Sequence, residues 1–197
     1  MLLTLNKITF TWEDLLANMK RATGREPGPE MIKAAERAYM EGIGLLDLKA
    51  GCEVYDVLGI EGGDTLSLSL PGEDKIEKIC IGSRVSYLEP AEKVVVGLST
   101  AGPAVVEAIE KYSQEEEYLL MYYLDSFAVK AIGELSELIR RTVEEMAKEK
   151  SWGVGPSMQP GAVTGWDASG QSDLYRLGRG ERIGLRVNSS HFLLPKI

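Results

Sequence analysis

The sequence predicts an α+β fold: a single domain, residues 1–197, with a mainly antiparallel sheet, a long helix and a Gly/Pro-rich C-terminal binding loop. Three observations lead there. Helix-like and strand-like segments come in blocks, without the strict alternation of a doubly wound parallel sheet. Between Cys52 and Leu70 apolar residues follow a strand pattern interrupted by a glycine turn, the mark of a hairpin. From Glu115 to Lys150 they recur at helical spacing over the longest such stretch in the chain.

In chain order, Thr11 and Asp14 make a capping-box-like start. Trp12, Leu15, Leu16 and Met19 then fall on one face of a short helix that Gly24 stops. Pro27-Gly28-Pro29 breaks any continuation, and Met31, Ala35, Ala38, Gly42 and Leu45 set the spacing of a second helix up to Gly51. Residues 1 to about 50 therefore form a helical N-terminal part. Cys52–Ile60 is apolar and β-branched, while Leu66, Leu68 and Leu70 alternate with Ser67 and Ser69. Glu61-Gly62-Gly63-Asp64 joins the two as a hairpin. Glu73–Ile81 fits a short helix or a strand. Val94-Val95-Val96 reads as a third strand, central in the sheet.

Gly102-Pro103 opens a helix running to about Tyr112, with proline at a first-turn position where its missing N–H costs nothing. In the long helix Leu119, Tyr123, Phe127, Ala131, Leu135, Leu138, Ile139, Val143 and Met146 form one apolar stripe, which Gly133 bends or divides. Asp167 caps a last helix ending at Gly178, and Ile183–Val187 reads as a final strand.

Composition narrows the function. With 44% hydrophobic residues the chain can bury a full core. Acidic residues outnumber basic ones by 30 to 22, for a net charge of −8, and no Lys/Arg cluster interleaves with aromatics. Nucleic acid is excluded as a partner on that ground. Asn6, Lys7 and Glu13 interrupt the opening apolar run before it reaches the length of a signal or membrane segment, so the expected location is cytoplasmic, with no membrane partner. Cys52 and Cys80 are too few and too far apart for a disulfide framework or a zinc site, and read as two buried thiols. No metal site is expected.

Gly97 and Gly102 have P-loop spacing, but Pro103-Ala104 stands where a phosphate-binding Lys and a magnesium-binding hydroxyl are needed. Gly97-Leu98-Ser99-Thr100-Ala101 nearly meets the nucleophile-elbow pattern. With Asp125, Asp167 or Asp173 and then His191 it would give the hydrolase order Ser, Asp, His. Against this remote alternative, no oxyanion segment is visible, and a turn whose Ser99 or Thr100 helps cap the next helix explains the residues as well. His191, the one histidine, has no metal-ligand companion. Glu115, Glu116 and Glu117 sit at a helix start, where the dipole favours them, and Glu134, Glu137, Glu144 and Glu145 with Arg140 and Arg141 form a solvated, paired face.

The segment from Trp152 to Tyr175 holds Gly153, Gly155, Pro156, Pro160, Gly161 and Gly165 between two helical stretches. Such a loop resists explanation by core packing and exposes backbone N–H and C=O groups to whatever lies opposite. Taken with the turn at Val94–Gly102, the helix at Val105–Tyr112 and Leu124-Asp125 on the long helix, the series Trp152-Gly153, Pro160-Gly161, Trp166, Gln171, Leu174-Tyr175 and Pro195-Lys196 resembles the activation domain of vitamin B12-dependent methionine synthase. More narrowly, it is similar to the short free-standing relatives of that domain, over the C-terminal half to two-thirds of the chain.

The resemblance implies a protein that binds S-adenosylmethionine and supports reductive methylation of an oxidised corrinoid. It implies cobalamin held only by a partner, either a corrinoid protein or a cobalamin-dependent methyltransferase, and an electron-donor protein. It also implies ligand contacts at Asp125, Ser157, Gln159, Pro160, Gly161, Ala162 and Trp166, with Gln159 and Gly161 acting through their backbones. No residue is assigned a catalytic role. Three departures stand beside it. Where methionine synthases write Arg-Pro-Ala-Pro-Gly-Tyr, this chain has Ser157 through Ala162, so both the Arg and the Tyr are gone. Val129 falls where the family carries a further ligand-contacting Glu, and the chain stops at Ile197, before the family's last aromatic segment. Losing a charge-assisted Arg contact typically costs ~2–5 kcal/mol. A non-catalytic accessory protein with a degenerate ligand site is therefore the alternative function.

Overall fold

The computed structural model describes residues 1–195; Lys196, which belongs to the Pro195-Lys196 mark, lies outside the described residues. The fold is α+β, 47% helical and 20% strand, with a curled antiparallel sheet and one long helix. The chain groups into two compact units. One comprises Met1–Leu3, Ala50–Leu98 and Leu138–Leu194; the other comprises Thr4–Lys49 and Ser99–Glu137, with Pro195.

The first unit is built on the sheet. Strand β2 (Lys49–Glu61) pairs with β1 (Leu2–Thr4), β3 (Thr65–Ser69) and β5 (Lys93–Thr100), and β3 pairs antiparallel with β4 (Ile76–Cys80). The β2–β3 hairpin turns through Gly62 and Gly63, both at positive φ, as the glycine pair predicts. A register shift between Val57 and Gly59 leaves Leu58 as an extra residue, and its side chain is exposed. The ambiguous Glu73–Ile81 segment resolves as β4. Leu66, Ser67 and Leu68 are all buried, so β3 is covered on both faces, and the Ser67 hydroxyl is satisfied by donating to Glu61 at 2.6 Å. The apolar core gathers Tyr55, Leu66, Leu68, Ile79, Val85 and Trp166, and the Tyr55 hydroxyl donates to Leu177 O at 2.8 Å.

The second unit is helical: α1 (Trp12–Thr23), α2 (Pro29–Leu45), α3 (Pro103–Gln114) and the Tyr118–Glu137 part of α4 (Tyr118–Glu149). The Asp14 carboxylate accepts the Thr11 N–H at 2.8 Å, closing the capping box, and Gly24 ends α1 in the left-handed region. On α2 the buried residues Ala35, Ala38 and Gly42 present one small-residue face. A Cβ on Gly42 would lie 2.4 Å from the Phe127 ring, so only glycine permits that approach. Phe127 packs edge-on against Phe10 and Tyr39 with centroids 5.3 and 5.7 Å apart. Glu41 accepts hydrogen bonds from Arg37 at 2.7 Å and from the Tyr112 hydroxyl at 2.5 Å, joining α2 to α3. Both oxygens of Glu134 accept the Thr9 N–H, at 2.9 and 3.0 Å.

Several sequence expectations change. Helix α2 ends at Leu45, short of Gly51, because Leu46 adopts an extended conformation and β2 begins at Lys49. Strand β2 is the hub of the sheet and β5 pairs only with it among the described residues, so the valine run is not central; Val94 and Val95 are half-buried. The apolar stripe of α4 holds through its middle, where Tyr123, Phe127, Ala131 and Leu135 are fully buried, and shifts at its ends: Leu119 and Met146 are exposed, while their neighbours Leu120 and Ala147 are buried. Gly133 does not divide α4, which runs unbroken to Glu149. Glu115 caps the end of α3 and Glu116 takes a positive φ, so only Glu117 serves the start of α4. Ile183–Val187 is mostly not a strand. Gly180–Ile183 forms a 3₁₀ turn ended by the left-handed Gly184, and only Arg186–Val187 (β6) pairs with Leu193–Leu194 (β7). Cys52 is buried, but Cys80 is exposed.

Candidate functional site: the loop after α4

The loop starts from a closed helix end. Ser151 takes a left-handed conformation, its N–H donates to Lys148 O at 3.1 Å, and the Trp152 N–H donates to Ala147 O at 2.9 Å. Gly153 to Ser157 follow, all exposed, and none of their backbone groups is hydrogen-bonded to another described residue. This stretch is an uninterrupted run of free donors and acceptors; the exposed Gln159, Thr164 and Gly165 also keep N–H groups without a bond to another described residue.

From Met158 onward the loop packs, contrary to the expectation that packing could not explain it. Met158 and Val163 lie against the apolar core, Pro160 is buried, and Trp166 is 6% exposed within that core. Ala162 and Val163 both donate to Gln159 O at 3.3 Å, Trp166 N–H donates to Val163 O at 3.0 Å, and Gly161 N–H donates to Trp166 O at 2.9 Å. Glycine at positive φ makes the turns possible at Gly161 and Gly165. The anchor is a backbone-on-backbone contact. A Cβ on Gly82, itself at positive φ, would lie 2.3 Å from Gly165 O. The indole is held as closely: a Cβ on Gly170 would lie 2.3 Å from Trp166 Nε1, which has no hydrogen-bond partner among the described residues.

The helix that follows is set by its cap. Asp167 Oδ1 accepts the Ser169 N–H at 2.8 Å, starting a 3₁₀ turn that leads into α5 (Gln171–Leu177). Hydrogen bonds from the Ser169 side chain and backbone hold the Asp167 carboxyl below the usual range. Gln171 Oε1 accepts the Leu193 N–H at 3.0 Å, and the Tyr175 ring lies where a Cβ on Gly180 would be, at 2.4 Å. Trp166 and Tyr175 are thus used in packing and Gln171 in a hydrogen bond within the fold.

The predicted site residues fall into three groups. Ser157, Gln159 and Ala162 have exposed side chains on the loop. The other three loop positions are engaged within it: Gly161 through its N–H, Pro160 and Trp166 through burial. Asp125 belongs to the second unit, at an exposed position of α4, and Val129 on the same helix is exposed too. The anchor Gly82 escaped the sequence reading, since a glycine after a strand signals only a turn until Gly165 is seen against it.

Other candidates lack the geometry for chemistry. Ser99 stands within β5 and not on a strand-to-helix elbow, and no histidine hydrogen-bonds it among the described residues. His191 is an exposed turn residue at φ 66°. Burial pushes the Cys52 thiol up, away from the thiolate form. Among the described residues no group of His, Cys, Asp and Glu is arranged to hold a metal, and no helix is long and apolar enough to cross a membrane. An open depression of about 380 Å³ is lined by Met19, Arg25, Glu26 and Met31, none of them from the loop. No protein-family model matches the chain, and no curated protein matches it.

Proposed function

We propose that this protein is an activation-domain-like binder of S-adenosylmethionine that supports reductive methylation of a corrinoid held by a separate protein. The observation that carries this reading is the exposed stretch Gly153–Ser157, whose backbone groups are free of internal hydrogen bonds, placed next to the ordered Pro160-Gly161, Trp166, Gln171 and Tyr175 marks. A ligand with an adenine edge, ribose hydroxyls and an amino-acid group needs such donors and acceptors, and Gly153 and Gly155 allow close approach. Ser157 and Gln159 add exposed polar side chains. S-adenosylmethionine would be held by the backbone of Gly153–Ser157 with the Ser157 and Gln159 side chains, and would supply an electrophilic methyl group to a corrinoid carried by the partner. The partner is a corrinoid protein or cobalamin-dependent methyltransferase, and an electron-donor protein completes the reaction. Isothermal titration with S-adenosylmethionine tests the reading: heat and a thermal upshift are expected, and neither at millimolar ligand would remove it.

A second reading, an accessory protein of a corrinoid system that holds no methyl donor, is favoured by one specific observation. Gln159 and Gly161, which the resemblance has acting through their backbones, each use one backbone group inside the loop, the Gln159 carbonyl and the Gly161 N–H. Ser157 supplies no charged grip in place of the family's Arg. Binding to a corrinoid protein without binding of S-adenosylmethionine is the outcome that selects this reading.

A further inference from the structure

Trp152 is the loop aromatic that packing does not use. Its indole is 39% exposed, and its backbone is fixed by the N–H bond to Ala147 O at 2.9 Å. The Lys150 ammonium lies over its ring, 5.5 Å from the centroid. Beyond it, Gly153 and Gly155 carry no side chain to block approach, and Val154, 46% exposed, extends the apolar surface. The face of an indole is electron-rich and attracts cations. Lys150 is a poor permanent occupant, because an ammonium is compact and strongly hydrated. A sulfonium or quaternary ammonium spreads its charge over carbon-bearing substituents and loses less hydration on the same face.

We propose that the exposed face of Trp152 is a recognition surface for a sulfonium or quaternary ammonium cation, which replaces Lys150 there. This rests on the reading of the loop as an S-adenosylmethionine site and gives it a selectivity device. The charged donor gains the contact; its neutral thioether product, S-adenosylhomocysteine, does not. Product release after methyl transfer is thereby favoured without any movement of the packed half of the loop.

The test compares S-adenosylmethionine with S-adenosylhomocysteine by titration calorimetry on the full chain and on Trp152→Ala, Trp152→Phe and Lys150→Met. A separate titration with trimethylsulfonium follows the Trp152 indole N–H resonance, assigned from its absence in Trp152→Phe. The wild type is expected to prefer the charged ligand, and Trp152→Ala to reduce that preference roughly two- to five-fold, the worth of an exposed cation–π contact. Trp152→Phe should keep part of the preference, and Lys150→Met should tighten the charged ligand alone. A folded Trp152→Ala protein with an unchanged preference overturns the proposal and leaves the loop reading standing. Failure to bind S-adenosylmethionine while trimethylsulfonium still shifts the Trp152 resonance defeats the loop reading and supports the cation face. An unmoved resonance with no S-adenosylmethionine binding overturns both.

Discussion

Replacing Gly82 by alanine should loosen the packed half of the loop from the sheet. Two costs add. Gly82 has φ 78° and ψ −168°, a region all but reserved for glycine, where an L-residue costs on the order of 1–3 kcal/mol. The new Cβ would also lie 2.3 Å from Gly165 O and 2.8 Å from Gly165 C, with backbone on both sides and no flexible side chain to yield. Overpacking of that kind costs ~1–3 kcal/mol, so Gly82→Ala should lose ~2–6 kcal/mol in all. At roughly 2–4 °C per kcal/mol for a chain of this size, Tm should fall by about 4–24 °C. Gly72→Ala is the control, since Gly72 has φ +82° with nothing within 4 Å of its Cβ position, and it should show the backbone strain alone. Urea unfolding followed by circular dichroism gives both values, and tryptic cleavage after Lys150 should quicken only in Gly82→Ala. If Gly82→Ala costs no more than Gly72→Ala, the loop is not anchored through Gly165 and the description of its packed half is wrong.

The Tyr123 hydroxyl is fully buried with no hydrogen-bond partner among the described residues, so Tyr123→Phe should be neutral or stabilising by up to ~1 kcal/mol in urea unfolding. A loss above that would reveal a partner such as a buried water. Burial pushes the Glu41 carboxyl up, but hydrogen bonds from Tyr112 and Arg37 outweigh it and leave the group lowered; the Glu41 hydrogen bond and burial raise Tyr112. Glu41's contribution to stability is therefore full above about pH 4.3 and lost as pH falls through its lowered folded value. Tyr112's is full below about pH 10 and lost as pH rises through its raised value. Tyr112→Phe should flatten both limbs of the stability–pH curve, and a curve unchanged at both ends would contradict the Glu41–Tyr112 bond. Glu134→Ala should speed hydrogen exchange at the Thr9 amide and cost about 1 kcal/mol, whereas unchanged exchange would show that the Glu134 carboxylate does not hold that strand of chain.

What the sequence reveals of this fold is what local chemistry decides. The Gly62-Gly63 hairpin, proline at the start of α3, the Thr11–Asp14 box and the Asp167 cap each depend on residues a few positions apart, and all are where the pattern places them. Long-range choices are not legible in this way. Adjacent apolar residues such as Leu119 and Leu120 fit a stripe equally well, and only the packing partners decide that Leu120 goes inside. The valine run of β5 has central-strand composition, but its pairing depends on the length of β2. The loop is the sharpest case. Its Gly/Pro content marked it as a binding segment, yet half of that content serves tight turns and the contact with Gly82. The proposed binding stretch is Gly153–Ser157, an unbroken run in which exposure and free backbone groups coincide.

The most direct test of that assignment is amide hydrogen exchange across the loop with and without S-adenosylmethionine. Slowed exchange is expected at Gly153, Val154, Gly155 and Ser157, whose amides bond to no other described residue, and little change at Gly161, already bonded to Trp166 O. Saturating ligand that leaves those four amides exchanging as before would contradict it.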